Sequence, residues 1–180
     1  NQDKQLAKEY VSSAYFSMII ISISIIILSI LTNLFVDWSR VFNAQAQLKT
    51  EINTLVPIIL IFFSLQLVAK LITAIYFGAQ KASLQNQILF VGQLFSLLVV
   101  FLLLNSTIYS LLYFGILLSF IPLFVLVIYN IIAFKGIFNI YKPEFSLFSF
   151  NRAREVLGIG SKFFVIQLSI LILYTTDNII

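Results

Sequence analysis

An all-α transmembrane helix bundle is the fold class this sequence predicts, and three observations carry the prediction. The 180-residue chain is 61% hydrophobic and only 10% charged, whereas a soluble domain of this size carries about a quarter charged residues. Its mean hydropathy is +1.04. The apolar residues gather into five runs that approach or meet the roughly 20 residues a spanning helix needs. An open sheet in lipid would leave its edges unpaired, so such spans must be helical.

The first run extends from Ala14 to Val36. Its Ile-Ser alternation from Ile21 to Ile25 is strand-like, but length and unbroken apolarity decide for helix. The second, Leu55 to Ala79, is expected to carry Pro57 in its opening turns, where a missing N–H costs little. The third covers Leu84 to Leu104 and is joined by the turn Asn105-Ser106-Thr107 to the fourth, Tyr109 to Phe134. Pro122 is expected to kink the fourth, as membrane helices tolerate. Lys142-Pro143 then stops the preceding element. Phe145, Leu147, Phe148 and Phe150 followed by Arg152, Arg154 and Glu155 predict an amphipathic helix at the membrane interface. Gly158 and Gly160 are expected to loosen its junction with the fifth run, Gly160 to Ile180. The chain opens without an initiator Met and stops inside an apolar run, which reads as an internal piece of a longer membrane protein.

Loop charges orient the runs. Lys4, Lys8, Lys81, Lys135, Lys142, Arg152, Arg154 and Lys162 fall on one side, and only Arg40 and Lys49 on the other. By the positive-inside rule the richer side is cytoplasmic, with both the chain start and the segment after Phe134 on it. The net charge of +4 is thus spread over separate loops, which argues against nucleic-acid binding. There are no cysteines and no histidines. That removes disulfides, thiolate chemistry, most zinc sites and His-based triads. Phosphate loops, metal-ligand spacings and paired carboxylates are absent as well, so no enzyme activity, cofactor or metal is expected.

What remains is polar chemistry inside the apolar runs. Lys70 lies within the second, and a charge at that depth costs a few kcal/mol or more, so such residues usually line a polar cavity. Gln66, Lys70, Thr73, Phe77 and Gln80 are spaced four, three, four and three apart and share one helix face. A lysine could instead snorkel to the surface, but Lys81 lies about 16 Å further along and the lysine stem covers less than half of that. Gln66 and Thr73 could equally bond neighbouring helices. The third helix offers Asn86, Gln93 and Ser96, and the fifth offers Gln167, Tyr174, Asp177 and Asn178. Asp177 is the only carboxylate inside any run. It reads as a proton or cation site, as a partner for a cavity lysine, or as a solvated helix end.

Two stretches carry a family resemblance. Leu65-Gln66-Leu67-Val68-Ala69-Lys70-Leu71-Ile72, with Gly78-Ala79-Gln80-Lys81-Ala82-Ser83-Leu84 and Gly92-Gln93, resembles bacterial polysaccharide flippases. Leu157-Gly158-Ile159-Gly160-Ser161-Lys162-Phe163-Phe164-Val165-Ile166-Gln167, with Tyr174-Thr175-Thr176-Asp177-Asn178-Ile179-Ile180, resembles the same group. These are the O-antigen and capsule repeat-unit transporters of the multidrug/oligosaccharidyl-lipid/polysaccharide exporter superfamily. The resemblance implies a fragment of a two-lobe transporter of twelve to fourteen helices. Residues 1–134 would be helices three to six of the first lobe, 135–159 a cytoplasmic inter-lobe linker, and 160–180 the truncated first helix of the second lobe. It also implies a multi-pass protein of the inner (cytoplasmic) membrane. The implied activity is flipping undecaprenyl-pyrophosphate-linked oligosaccharide across the bilayer by alternating access.

On that resemblance Lys70 would attract the pyrophosphate, and Gln66, Thr73, Gln93 and Gln167 would bond sugar hydroxyls. The polysaccharide polymerase of the same pathway is an implied partner. The alternative is a cation-coupled multidrug exporter of the same superfamily, with Asp177 as the ion-coupling carboxylate, although a cavity lysine would repel cationic cargo. A membrane-embedded polymerase or glycosyltransferase would want a large aqueous loop, and the loops here are short.

Overall fold

The computed structural model describes residues 2–104 and 110–177, with side chains through residue 103 in the first stretch and through 173 in the second. Every regular element among them is helical. In order these are α1 (Gln2–Phe35), α2 (Trp38–Val41), α3 (Lys49–Ala69), α4 (Leu71–Gly78), α5 (Ala82–Leu104), α6 (Leu111–Lys135) and α7 (Phe150–Asp177). Single 3-10 turns occur at Ala46–Leu48, Asn139–Tyr141 and Phe145–Leu147. Among the described residues five stretches are long and apolar enough to cross a membrane: α1, Ala46–Gly78 with α3 and α4, α5, α6, and α7. Large side chains along them, such as Leu34, Phe101 and Leu173, are more than half exposed. A helix clothed in apolar side chains on all sides is one that lipid surrounds. The architecture is that of a multi-pass membrane protein.

Helices α1 and α3 both begin well ahead of their apolar runs. α1 begins at Gln2, well ahead of Ala14, because its polar opening is rich in helix formers and finds partners of its own. α3 begins at Lys49, so Pro57 stands two turns inside the helix rather than in its opening turns. The added turn brings Glu51 to the start of α6, where its Oε2 accepts the Leu112 N–H at 3.1 Å. An acidic oxygen at that position satisfies an amide that has no partner within the helix. The turn Asn105-Ser106-Thr107 lies outside the described residues.

The chain divides into two compact units, Met18–Asn139 and Asn1–Ser17 with Ile140–Ile180. In the larger, α6 packs against both α3 and α5, and α4 packs against α5. α3 and α6 run parallel, since Glu51 meets Leu112, Leu55 meets Gly115, Gln66 meets Ser119 and Ala69 meets Asn130 in ascending order. Their close approach depends on Gly115, where a Cβ would fall 2.6 Å from Leu55 Cδ1. Small residues serve this purpose between membrane helices, where close van der Waals contact drives association. α6 continues through Pro122 without interruption. The ring removes one backbone donor, and beside it the Ser119 carbonyl takes a bond at 2.9 Å from Gln66 Nε2.

The turn after α1 is knotted by one carboxylate. Asp37 Oδ1 accepts Ser39 Oγ at 2.6 Å and Asn53 Nδ2 at 3.0 Å. Its Oδ2 lies 3.3 Å from both Arg40 Nε and Lys49 Nζ. Hydrogen bonds from Ser39 and Asn53, with Lys49 beside them, hold this carboxyl well below the usual carboxylate range.

In the smaller unit the segment after Ile140 is tied to the first half of α1. Ser12 and Ser13 are fully buried, and their hydroxyls accept the Glu144 and Ser149 N–H groups at 3.1 and 3.0 Å. Lys8 Nζ pairs with Glu144 at 2.5 Å, and Phe16 packs edge-on against Phe145 at 5.1 Å. The expected amphipathic helix is not a separate element here. Phe145–Leu147 is a 3-10 turn, Phe148 is extended, and α7 runs unbroken from Phe150 through Gly158 and Gly160. The glycines do not loosen the helix, because an unmade backbone bond in apolar surroundings costs more than glycine's added freedom.

Candidate functional site

The polar stripe of the second span is built around a break in its helix. α3 ends at Ala69 and α4 starts at Leu71, with Lys70 between them. No glycine or proline marks the spot. The break follows from competition for carbonyls. Thr73 gives both its N–H, at 2.9 Å, and its hydroxyl, at 2.7 Å, to the Lys70 carbonyl. That tightens one turn to 3-10 geometry and leaves the Ala69 carbonyl without the amide four residues on. Asn130 Nδ2 from α6 supplies the missing donor at 2.8 Å, and it also bonds the Leu126 carbonyl of its own helix at 2.8 Å. A threonine hydroxyl drawing on a helix carbonyl is a recognised way of bending a helix.

Lys70 itself is exposed on the surface of the larger unit. Among the described residues no carboxylate lies within ion-pair distance of it. It stands about 12 Å from the end of α4 at Gly78, at 1.5 Å per residue. Broken helices of this kind expose polar groups at membrane depth, and helix ends there serve as ion and substrate sites.

The other expected site residues divide by what their polar atoms do. Gln66 is half-buried and spends its amide on the Ser119 carbonyl. Thr73 spends its hydroxyl on Lys70. Gln66 keeps a second amide hydrogen and its Oε1, and Thr73 keeps its hydroxyl lone pairs, for a further partner. Gln80, the last member of the stripe, lies past the end of α4 with a φ of 58°. There Lys81 N–H closes back on the Tyr76 carbonyl at 2.8 Å, so this residue belongs to a left-handed helix cap and not to the helix face. Gln93 and Asn86 are exposed on α5. Gln167 is exposed on α7, in the smaller unit. Asp177 ends α7, and its side chain lies outside the described residues, as do those of Tyr174 and Asn178.

Asn130 is the functional candidate that sequence reasoning missed. It sits in the last third of α6 as a lone amide in an apolar run. That isolation was the available signal, because an amide in lipid must find a partner. The larger unit also holds an apolar groove of about 230 Å³ between α5 and α6, walled by Phe95, Val99, Ile121, Phe124, Val125 and Tyr129 among others. Its walls offer no charged group, and Lys70 is not among them. Among the described residues no cluster of acidic side chains could hold a metal ion. At the break Lys70 offers a positive charge and hydrogen-bond donors. No protein-family model, curated protein or solved structure matches this chain.

Proposed function

We propose that this protein is a transporter that flips undecaprenyl-pyrophosphate-linked oligosaccharide repeat units across the inner (cytoplasmic) membrane for polysaccharide export. The observation that carries the reading is Lys70: an exposed cation without an acidic partner among the described residues, at a helix break inside a membrane span. A positive charge at that depth favours an anionic cargo, and a pyrophosphate-linked lipid is anionic at its head and apolar in its tail. Lys70 attracts the pyrophosphate, and Gln93 of the same unit offers an amide to sugar hydroxyls. Thr73 and Asn130 hold the break that presents Lys70, and Gln66 and Thr73 on the same span add hydrogen-bonding atoms for sugar hydroxyls. No bond is made or broken in such a cycle. The polymerase of the same pathway is the natural receiver of the cargo.

The test uses the gene in its host. Deletion is expected to trap undecaprenyl-linked repeat units in the cytoplasmic leaflet, as read by leaflet-resolved analysis of lipid extracts. The wild-type gene relieves the build-up, Lys70→Arg relieves it in part, and Lys70→Ala does not. Full relief by Lys70→Ala refutes the role of Lys70. Sensitivity to cationic drugs without any lipid build-up replaces this reading with cation-coupled drug export, and directs attention to Asp177.

A further inference from the structure

The groove between α5 and α6 has the girth of a chain and not of a helix. Its α5 wall is Val91, Phe95 and Val99, one residue per turn, and its α6 wall runs from Ile121 through Phe124 to Tyr129. Each wall extends over eight residues, about 12 Å at 1.5 Å per residue. Over that length its volume of about 230 Å³ leaves a cross-section of about 20 Å². A helix with its side chains is about 10 Å across and fills roughly four times as much. A further transmembrane helix therefore does not seat in this groove, whereas one extended hydrocarbon chain does. The surface it offers is apolar throughout.

Depth and neighbours narrow the kind of chain. Tyr129 stands about 9 Å from the end of α6 at Lys135, and Ile121 about 21 Å from it. The middle of a hydrocarbon layer about 30 Å thick falls between the two. An acyl chain anchored at either surface ends near that middle, so a chain lying along the whole groove is longer than one leaflet is deep. The end of the groove at Tyr129 adjoins Asn130, whose Nδ2 holds the Ala69 carbonyl beside Lys70. Because α3 and α6 are parallel, Lys70, about 12 Å from the end of α4, lies at the level of that end. The groove thus starts level with a cation that has no carboxylate partner among the described residues, and runs past the bilayer middle.

We propose that the α5–α6 groove seats the polyprenyl tail of the lipid whose pyrophosphate Lys70 attracts, an inference that rests on the transport reading for the identity of that lipid. Lipid tails are as apolar as the groove, so burial alone does not draw a chain out of the bilayer and into it. The head group supplies the bias. With the pyrophosphate held at Lys70, the tail meets the groove at a high effective concentration. Head and tail are then gripped by one unit, the head by charge and the tail by contact with Val91, Phe95, Val99 and Phe124.

The test reconstitutes the full-length protein with Trp38→Phe and Phe124→Trp, so that one indole lines the groove, in phosphatidylcholine brominated midway along its acyl chains. Brominated chains quench the indole, and undecaprenyl pyrophosphate is expected to relieve the quenching by displacing them. Undecaprenol, with the same tail and no charge, should need roughly fivefold more, and inorganic pyrophosphate should relieve nothing. Val99→Phe fills one end of the groove and should raise the undecaprenyl pyrophosphate required by roughly fivefold. Val91→Phe does the same at the other end, which keeps the test decisive where one variant fails to fold. Leu97→Phe, on the exposed side of α5, should change nothing. Equal relief by undecaprenol and its pyrophosphate, lost in the filled variants, upholds the groove and refutes the hold of Lys70 on the head group. An indole that brominated chains never quench reveals a protein segment over the groove and overturns the proposal. Quenching that neither polyprenyl lipid relieves assigns the groove to phospholipid acyl chains and overturns it as well, while the leaflet assay of repeat units still decides the transport reading.

Discussion

Replacing Asn130 by leucine tests whether the break at Lys70 is held from outside its own helix. The substitution keeps bulk and removes both amide donors, of which the one at 2.8 Å from the Ala69 carbonyl matters most. Ala69 is only 7% exposed, so water cannot take the donor's place. An unpartnered buried carbonyl costs about 1–3 kcal/mol in soluble proteins. Bonds between membrane helices average about 0.6 kcal/mol and reach about 1.7, because the unfolded chain in lipid also finds partners. A loss of about 1 kcal/mol, roughly fivefold in the folding equilibrium, is the expected result. It is read by reversible unfolding in bicelles, with Ser96→Ala as the control, since the Ser96 hydroxyl bonds only within its own helix, to Gly92. A second readout bears on geometry. The Thr73 N–H can return to the Ala69 carbonyl once Asn130 no longer occupies it, which would turn the 3-10 step back to α-helix and re-aim Lys70. A spin label on α4 should therefore shift its distance to a label on the first half of α3, and transport should fall with it. Unchanged stability and unchanged distances in Asn130→Leu would refute the idea that α6 holds the break open.

Gly115→Ala is expected to cost about 1–3 kcal/mol by forcing Leu55 aside; combined with Leu55→Ala the loss should be less than the sum of the single changes, as measured by a double-mutant cycle. Gln80→Gly removes a side chain from a left-handed position with φ of 58°, and should raise stability by about 0.5–1 kcal/mol on thermal unfolding. Asp37 has its folded pKa held below the ordinary value, so its contribution to the turn is fully present above about pH 4 and is lost as pH falls further toward the folded pKa. Hydrogen exchange at the Ser39 amide, which donates to Asn53 Oδ1 at 3.1 Å, should accelerate on acidification in the wild type. Asp37→Asn should show fast exchange at neutral pH and little further change with acid.

The class of the molecule and the place of its least ordinary residue are legible in composition and residue count. Five apolar runs must be helices because hydrocarbon offers backbone groups no other partner. α5 and α6 accordingly lie close to the limits of their runs. Lys70 is legible for the same reason, since its depth follows from residue count alone. Tertiary structure decided what could not be counted. The helix break carries no glycine or proline, and depends on an asparagine 61 residues away. The polar beginning of α3 is helical where Glu51 reaches α6, again 61 residues on. The stretch before α7 reads as an amphipathic helix but settles as a 3-10 turn, because Ser12 and Ser13 take the Glu144 and Ser149 amides across 132 and 136 residues. In lipid the local rule is strong wherever the chain is apolar. It gives way where a polar side chain from a distant segment competes for the same backbone groups, and that competition becomes visible only when the helices are packed.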